Sequence, residues 1–243
     1  MHCLVIADVH ANLAAFEAVL AAAPQFDEIW CLGDIVGYGP DPNECIELLR
    51  QYRHIAVAGN HDWAAIGRLD LSDFNPAARA AAEWTAEQLS LDSRRYIGSL
   101  PVQHQKEGFT AVHGSVRFPV WEYIDEPRVA WENMALMETK YCLVGHTHIP
   151  VMYVANGWRG RAREIALAGS SPALKLADKQ AILNAGSVGQ PRDGDPRAAY
   201  LILDTASSEA QLRRVDYAID RTRGRMERFG LPDRNAFRLA LGR

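Results

Sequence analysis

Residues 3–10, with the sequence CLVIADVH, join an apolar run to two side chains that can bind a metal ion. An uninterrupted apolar run is typical of a strand that is covered on both faces. The next segment, NLAAFEAVLAAA at residues 12–23, has the apolar spacing of an amphipathic helix and ends before Pro24. This opening predicts the first strand and helix of an α/β sheet in which parallel strands alternate with covering helices.

The same alternation of strand and helix continues as far as residue 97. The predicted elements are a strand at 28–34, a helix at 43–52, a strand at 55–59 and one or two helices across 75–97. Consecutive strands that are joined by covering helices are expected to lie parallel to one another in one sheet.

After residue 100 the pattern changes to short strands, several of them separated by Gly, Asn or Asp turns. Strands are predicted at 101–107, 109–114, 141–146, 151–156, 161–167, 180–187, 198–204 and 211–217, and helices at 126–137 and 219–230. Strand–helix units followed by hairpins predict two mixed sheets packed face to face with helices outside them. No linker or repeat divides the chain, so we expect one domain across residues 1–243.

The charge of the chain is nearly balanced, with 26 Lys and Arg residues against 30 Asp and Glu residues. This balance gives no general attraction to nucleic acid or to an anionic membrane. The apolar runs are far shorter than the roughly 20 residues that cross a bilayer, and Asp8 interrupts the region where a signal peptide would have its apolar core. Four cysteines without CxxC spacing indicate reduced core thiols. We therefore expect a cytoplasmic protein with no membrane partner and no stable nucleic-acid partner.

Five of the strand-like runs end in a residue that can bind a metal ion. Ligands of open α/β sheets gather outside the carboxyl ends of strands, so these endings are expected to meet in one crevice. Each ending has an ordinary alternative, since an Asp can form a turn and a single Asp-x-His or His-x-His pair is a weak signal. The ordered set is more specific, and it consists of Asp8, His10, Asp34, Asn60, His113, His146 and His148.

The chemistry of this set indicates paired divalent cations. Imidazole, carboxylate and amide ligands without thiolate suit Mn, Fe, Zn, Co or Ni. Seven ligands are too many for one ion but fit two ions that share a bridge, and ions roughly 3.5–4 Å apart are typical of displacement at phosphorus by a hydroxide. Two such ions carry +4, which Asp8, Asp34 and one hydroxide reduce to +1. The remaining positive charge favours a phosphate ester as the substrate.

The motifs DVH (8–10), GD (33–34), GNHD (59–62), HG (113–114) and GHTH (145–148) resemble the calcineurin-like metallophosphoesterase superfamily. The resemblance extends from the first strand to about residue 205, and the stretches at 33–42 and 184–200 are similar to the compact bacterial and archaeal phosphodiesterase branch. It implies a four-layer α/β/β/α sandwich and a phosphodiesterase that uses two divalent ions, with manganese the most effective in vitro.

The resemblance also implies a role for each motif residue. One ion would be held by Asp8, His10 and His148, and a second by Asn60, His113 and His146. Asp34 would bridge the two ions. Asn60 and His61 would be the catalytic residues. His61 would donate to the leaving-group oxygen or stabilise the transition state. Asp62 would orient His61, or it would cap a helix that starts there.

Position and chemistry add expectations about individual residues. Because it directly follows a ligand, His61 is expected at the rim of the cleft with an ordinary pKa near 6.5. Arg192 is a candidate for binding a substrate phosphate, with a solvated turn arginine as the alternative. Tyr38 lines the cleft or shapes a glycine-rich turn. Trp121 and Tyr123 are expected to pack over the 126–137 helix, with base stacking as the alternative.

These observations favour a phosphodiesterase that acts on a small phosphorylated compound, for which a nucleotide is one candidate. A phosphoprotein phosphatase or a dinucleoside polyphosphate hydrolase of the same superfamily is the alternative. Those relatives carry an arginine just after the second motif, where this chain has Gly37, Tyr38 and Gly39. A non-catalytic metal-binding scaffold is the third possibility, although all seven ligand positions are filled. None of these residues sets an oligomeric state.

Overall fold

The computed structural model describes residues 1–156, 161–170, 172–176 and 178–243. The strands in this part of the chain are β1 His2–Ile6, β2 Glu28–Cys31, β3 His54–Ala56, β4 Gln103–Lys106, β5 Phe109–Val112, β6 Tyr141–Val144, β7 Val151–Ala155, β8 Ala162–Ala166, β9 Leu174–Lys175, β10 Ala181–Asn184, β11 Ala198–Asp204 and β12 Glu209–Val215. The α-helices are α1 Leu13–Ala22, α2 Pro42–Arg50, α3 Asn60–Ala65, α4 Pro76–Gln88, α5 Leu91–Ser99, α6 Pro127–Met134, α7 Ile219–Arg228 and α8 Asp233–Leu239.

The strands form two mixed sheets, as the sequence predicts. The first sheet has the order β3-β2-β1-β11-β12-β9, and the second has the order β4-β5-β6-β10-β7-β8. Strands β1, β2 and β3 run parallel in the first sheet, and β5, β6 and β10 run parallel in the second. Each sheet therefore brings the carboxyl ends of several strands to one edge, which is the geometry needed for a shared site.

Side-chain alternation along β1 explains the layers. Cys3 and Val5 point into the apolar core between the two sheets, where they join Leu143 of the second sheet. Leu4 and Ile6 point the other way and pack with residues of α1 and α2. Because successive residues of a strand face opposite sides, a strand covered on both faces is continuously apolar, as the CLVIA run is.

The outer helices complete the predicted α/β/β/α sandwich. Beyond the second sheet, Val144 and Ile182 pack with Ala130 and Met134 of α6. A fourth apolar cluster joins α4, α7 and α8 beside Tyr38. Among the described residues, no helix is both long enough and apolar enough to cross a membrane.

The structure differs from the sequence prediction mainly where elements end. Most predicted strands are shorter, because their last residues are loops of the candidate site. The helical region 75–97 is two helices, and α5 starts where the Ser90 side chain accepts a hydrogen bond from the Ser93 backbone N–H. The short strand β9 and the helix α8 were not predicted. All four cysteines are buried and free, which confirms the prediction of core thiols.

Candidate metal centre

The seven candidate ligands of the sequence analysis lie at the edge where the parallel strands of both sheets end. Asp8 and Asp34 follow β1 and β2, and Asn60 follows β3 across a short loop. His113 and His146 follow β5 and β6 of the second sheet, with His148 two residues further on. All seven side chains are buried, with exposed fractions between 0 and 4%. The structure thus brings together residues that are up to 140 positions apart in the chain.

The ligand atoms form two neighbouring groups. In each of the groups Asp8, His10, His148 and Asp34, His113, His146, the candidate ligand atoms lie within 4.8 Å of one another. The same holds for His10, Asp34 and His61, so His61 lies within reach of both groups. Asp34 reaches both groups, since its Oδ2 is 3.7 Å from His10 Nε2 and 3.3 Å from His113 Nε2. Asn60 Oδ1 lies 3.1 Å from His113 Nε2. This arrangement matches two cation positions with Asp34 between them.

Each of the four candidate histidines donates one ring N–H to a backbone carbonyl outside the centre. His10 Nδ1 and His148 Nδ1 donate to Val36 O at 3.2 Å and to Gln190 O at 2.6 Å. His113 Nδ1 donates to Leu32 O at 2.8 Å, and His146 Nε2 donates to Trp121 O at 3.1 Å. Such hydrogen bonds fix the tautomer of metal-binding histidines and turn the other ring nitrogen toward the metal.

The short distance between the inner ring nitrogens of His10 and His148 fits a shared cation. His10 Nε2 and His148 Nε2 lie 3.1 Å apart. A neutral imidazole has one N–H, and both rings already donate theirs through Nδ1, so two lone pairs face each other. Burial lowers the pKa of both histidines, which favours their neutral forms. A divalent cation bound between the two nitrogens would replace this repulsion with two coordination bonds.

Asp34 contributes a second observation that fits a metal ion. Its Oδ1 accepts a hydrogen bond from the His61 backbone N–H at 2.8 Å. Its Oδ2 is buried and has no hydrogen-bond partner among the described residues. A buried carboxylate oxygen without a partner is costly, whereas an oxygen that faces two groups of imidazole nitrogens is placed to bridge two cations. The residues present therefore fit a dinuclear centre.

The pKa shifts at the centre reflect burial and mutual interaction. Burial raises the pKa of Asp8 to about 8, because a buried carboxylate is poorly solvated. Burial alone lowers the pKa of His113, but the Asp34 carboxylate outweighs it and raises that pKa to about 9. The positive charge of His113 in turn helps to hold the pKa of Asp34 well below its usual range, against the effect of burial. Carboxylates and neutral imidazoles are the forms that a divalent cation binds.

The backbone is strained at five of the seven candidate ligands, where φ lies between 48° and 67°. These residues are Asp8, His10, Asp34, His146 and His148. The left-handed region is unfavourable for residues other than glycine, at roughly 1–2 kcal/mol each. Hydrogen bonds across the site hold the loops in this form, such as Asp8 N–H to Gly33 O at 3.0 Å and His10 N–H to Asp34 O at 2.9 Å. Backbone strain that the fold maintains is typical of functional sites.

Gly59 must be a glycine for Asp34 to keep its position. A Cβ atom at Gly59 would lie 2.1 Å from Asp34 Oδ1. We expect Gly59→Ala to lower the free energy of unfolding by about 1–3 kcal/mol, because the carboxylate must move. Thermal melting and metal titration measure both consequences. Gly224→Ala, on α7 with no described atom within 4 Å of its Cβ, should be neutral or stabilising, and equal losses in the two variants would contradict this explanation.

His61 is buried in the structure and does not lie at the cleft rim as the sequence analysis expected. Its exposed fraction is 4%, and its ring packs against Tyr38 and Phe74 at centroid distances of 4.3 and 5.1 Å. Burial lowers the pKa of His61 to about 4, although the Asp34 charge raises it. The expectation of an ordinary pKa near 6.5 is therefore wrong. His61 still faces the centre, since its ring is 4.9 Å from that of His10.

Asp62 does not orient His61, so that prediction is wrong. The Asp62 carboxylate accepts hydrogen bonds from the backbone N–H of Gly59 at 3.0 Å and of Val36 at 3.1 Å. It therefore caps α3, which was the alternative interpretation, and joins this helix to the loop after β2. His61 Nδ1 has no hydrogen-bond partner among the described residues.

Arg192 and Tyr38 lie beside the centre. The Arg192 guanidinium is 5.8 Å from the centre of the Tyr38 ring and donates to Gln190 Oε1 at 2.9 Å. The Tyr38 ring is 4.6 Å from the ring of His10. Tyr38 thus lines the site as well as shaping the turn, and Arg192 is not a freely solvated turn residue.

Two aromatic residues were misplaced by the sequence analysis. The Tyr123 ring stacks on His146 at a centroid distance of 3.9 Å, and the carbonyl of Trp121 accepts from the same histidine. The exposed fractions of Trp121 and Tyr123 are 38% and 47%, so neither is simply a packing residue over α6. Both belong to the edge of the site.

The end of β10 and the loop after it contain positioning residues that the motifs did not assign. Asn184 Nδ2 donates to Gly145 O at 2.6 Å and to the Thr147 hydroxyl at 3.0 Å, which fixes the loop between His146 and His148. The Ser187 hydroxyl donates to Asp8 O at 2.9 Å. Both residues lie in the stretch at 184–200 that resembles the phosphodiesterase branch, and this resemblance was the signal that could have found them.

Comparison with known proteins identifies the family. Residues 1–208 match the calcineurin-like phosphoesterase superfamily domain. The chain belongs to the calcineurin-like phosphoesterase superfamily. A metallophosphoesterase from Sphaerobacter thermophilus is 46% identical, with a TM-score of 0.91 and coverage of 100% of this chain and 99% of that chain. This membership confirms the resemblance drawn from the motifs and supports a hydrolase.

Two further proteins that are similar to this chain differ in how much of it they match. A protein of Methanocaldococcus jannaschii that is described as uncharacterized is 35% identical over 246 residues, which covers 98% of this chain and 97% of that protein. A symmetrical bis(5'-nucleosyl)-tetraphosphatase of Glaesserella parasuis is 28% identical over 142 residues, covering 55% of this chain and 52% of that protein. The chain thus spans about half the length of the tetraphosphatase.

Proposed function

We propose that the chain is a phosphodiesterase with a dinuclear metal centre that hydrolyses a small phosphorylated compound in the cytoplasm. The observation that carries this proposal is the convergence of four histidines, each donating its outer N–H to a backbone carbonyl, on the buried carboxylates of Asp8 and Asp34. Asp8, His10 and His148 would hold one ion, and Asn60, His113 and His146 the other, with Asp34 as the bridge. The four free thiols support a reducing compartment.

The bound ions would supply an activated water for attack at phosphorus and would neutralise charge on the phosphoryl oxygens. The residues of the chain orient the substrate around this point. Arg192 is placed to donate to a phosphoryl oxygen, since its Nε is buried without a partner among the described residues. His61 is placed to donate a ring N–H to the leaving-group oxygen, because its ring faces the centre at 4.9 Å from that of His10.

Burial of the centre favours this role over a structural one. Asp8 and Asp34 have exposed fractions of 0 and 1%, so charges developing near them are poorly screened by water. The stored backbone strain at five ligand positions adds no stability to the fold, yet it aims the side chains at one point. A fold that bound no metal at this point would have no use for this strain.

The similar proteins support a nucleotide as the substrate of this chain, because several of them are symmetrical bis(5'-nucleosyl)-tetraphosphatases. A dinucleoside polyphosphate hydrolase therefore stays the second candidate function. The turn after Asp34 contains Gly37, Tyr38 and Gly39, without the arginine expected for the tetraphosphatase and protein phosphatase classes.

Metal removal and restoration test the proposal. The purified protein should hydrolyse bis(4-nitrophenyl) phosphate faster than 4-nitrophenyl phosphate. Chelation should reduce kcat roughly 100-fold or more, because the activated water and the charge neutralisation are both lost. Addition of Mn²⁺ should restore activity, with Ni²⁺ and Mg²⁺ as comparisons. Faster turnover of the monoester would indicate a phosphatase, and bound metal without any turnover would indicate a scaffold.

A further inference from the structure

Two aromatic rings border His146 at the edge of the candidate centre. The centroid of the Tyr123 ring lies 3.9 Å from that of the His146 ring, with 11° between the two planes. The Trp121 ring lies 6.4 Å from the same imidazole and 5.4 Å from the ring of Phe74. Both rings are therefore next to a candidate ligand, whose Nδ1 is 3.1 Å from His113 Nε2.

The two side chains are also exposed to solvent. His146 covers one face of the Tyr123 ring, and the exposed part of the ring leaves room for a further planar group. Single exposed aromatic residues are common on protein surfaces. Two of them within three residues, beside a buried polar centre, form a surface that suits the flat apolar part of a ligand whose polar part enters the centre.

Hydrogen bonds hold the segment that carries the two rings, residues 114–123, in one position. The Glu122 carboxylate accepts from the Ser115 hydroxyl at 2.7 Å and from Asn133 Nδ2 of α6 at 2.9 Å. The carbonyl of Trp121 accepts from Nε2 of the adjacent candidate ligand at 3.1 Å. A segment that is already ordered loses little conformational entropy when a ligand binds, so the rings are preorganised for binding.

The distance between the rings and the centre suits a nucleotide. His146 separates the Tyr123 ring from the other candidate ligands by the thickness of one stacked ring. A planar group stacked on the free side of Tyr123 is therefore one further ring away from the centre. The base of a nucleotide is joined to its phosphate through a ribose, which can span this step while the phosphate lies at the centre.

We propose that Tyr123 and Trp121 bind the base of a nucleotide substrate by stacking, while its phosphate lies at the metal centre. The ligand class is nucleoside phosphates and their esters. Stacking does not select one base, because every base has a π face. Since the stacked base belongs to the compound whose phosphate the centre hydrolyses, this assignment rests on the proposed function.

Inhibition by adenosine 5'-monophosphate and by ribose 5-phosphate tests the assignment, because the two compounds differ in the base. Both are measured as competitive inhibitors of bis(4-nitrophenyl) phosphate hydrolysis, and each inhibition constant is corrected for the KM of the variant. The wild type should bind the nucleotide at least tenfold more tightly, and Tyr123→Leu should reduce this preference about tenfold. Tyr123→Phe, which keeps the ring, should retain it. Trp121→Leu, which keeps the backbone carbonyl, should reduce the preference as well.

Tyr52→Leu is the matched control, since Tyr52 is an exposed tyrosine just before the amino end of β3, whereas the centre lies beyond the carboxyl ends of the strands. It should keep the preference of the wild type. Equal binding of the two compounds by the wild type would overturn the assignment, and so would equal changes, or none, in a folded Tyr123→Leu protein. If the wild type hydrolyses no ester, the proposed function fails by itself. Titration calorimetry of the same two compounds, with Mn²⁺ present, then measures the preference for the base without turnover.

Discussion

Replacement of Asp34 with asparagine is expected to lower kcat for bis(4-nitrophenyl) phosphate by roughly 10³-fold. The two side chains have the same shape, and the amide oxygen of Asn can still accept from the His61 backbone N–H. The change removes the negative charge at Oδ2, which is the atom that faces His10 Nε2 at 3.7 Å and His113 Nε2 at 3.3 Å. Without this bridge, the two proposed cations would repel each other and at least one would be bound more weakly.

Metal analysis and steady-state kinetics measure the two consequences of Asp34→Asn. The variant should retain fewer than two ions per chain after desalting, while the wild type retains both. Asp220→Asn is the control, because the Asp220 side chain is exposed on α7 far from the ligand set in sequence. It should match the wild type in metal content and kcat. An Asp34→Asn protein with two tightly held ions and a kcat within tenfold of wild type would remove Asp34 from the bridging position.

The sequence predicted that the candidate ligands lie together because most of them are local to a strand end. Asp8 and Asp34 directly follow apolar runs, and His113 and His146 do the same in the second half of the chain. Once the runs are parallel strands, their carboxyl ends must lie at the same edge of a sheet. The convergence of distant residues therefore follows from short-range pattern and general topology.

The burial and orientation of His61 were not predictable in the same way. Both depend on packing against Tyr38 and Phe74, and Phe74 belongs to a segment that has no motif. The sequence suggested its neighbour Asp62 as a partner, but that carboxylate satisfies backbone N–H groups instead. Adjacent positions at the start of a helix point in different directions, so sequence adjacency did not give a side-chain contact.

The hydrogen bonds that the histidines donate to backbone carbonyls also could not be predicted from the sequence. Backbone carbonyls of Trp121 and Gln190 orient His146 and His148. Every residue type has such a carbonyl, so no sequence motif marks these acceptors. The packing of Leu239 beside Tyr38 depends on the docking of α8, whose seven residues show too little apolar periodicity to predict a helix. Tertiary packing, rather than local pattern, decides these features.

Replacement of His61 with alanine is expected to lower kcat by about 10²–10⁴-fold for diphenyl phosphate and much less for bis(4-nitrophenyl) phosphate. The phenolate leaving group carries more charge on oxygen than 4-nitrophenolate and gains more from a ring N–H donor, so only the poor leaving group depends strongly on His61. KM should change little, because the interaction develops in the transition state. His2→Ala, at an exposed position in β1, should affect neither substrate. Equal losses on both esters would show that His61 supports the structure of the centre and does not assist departure of the leaving group.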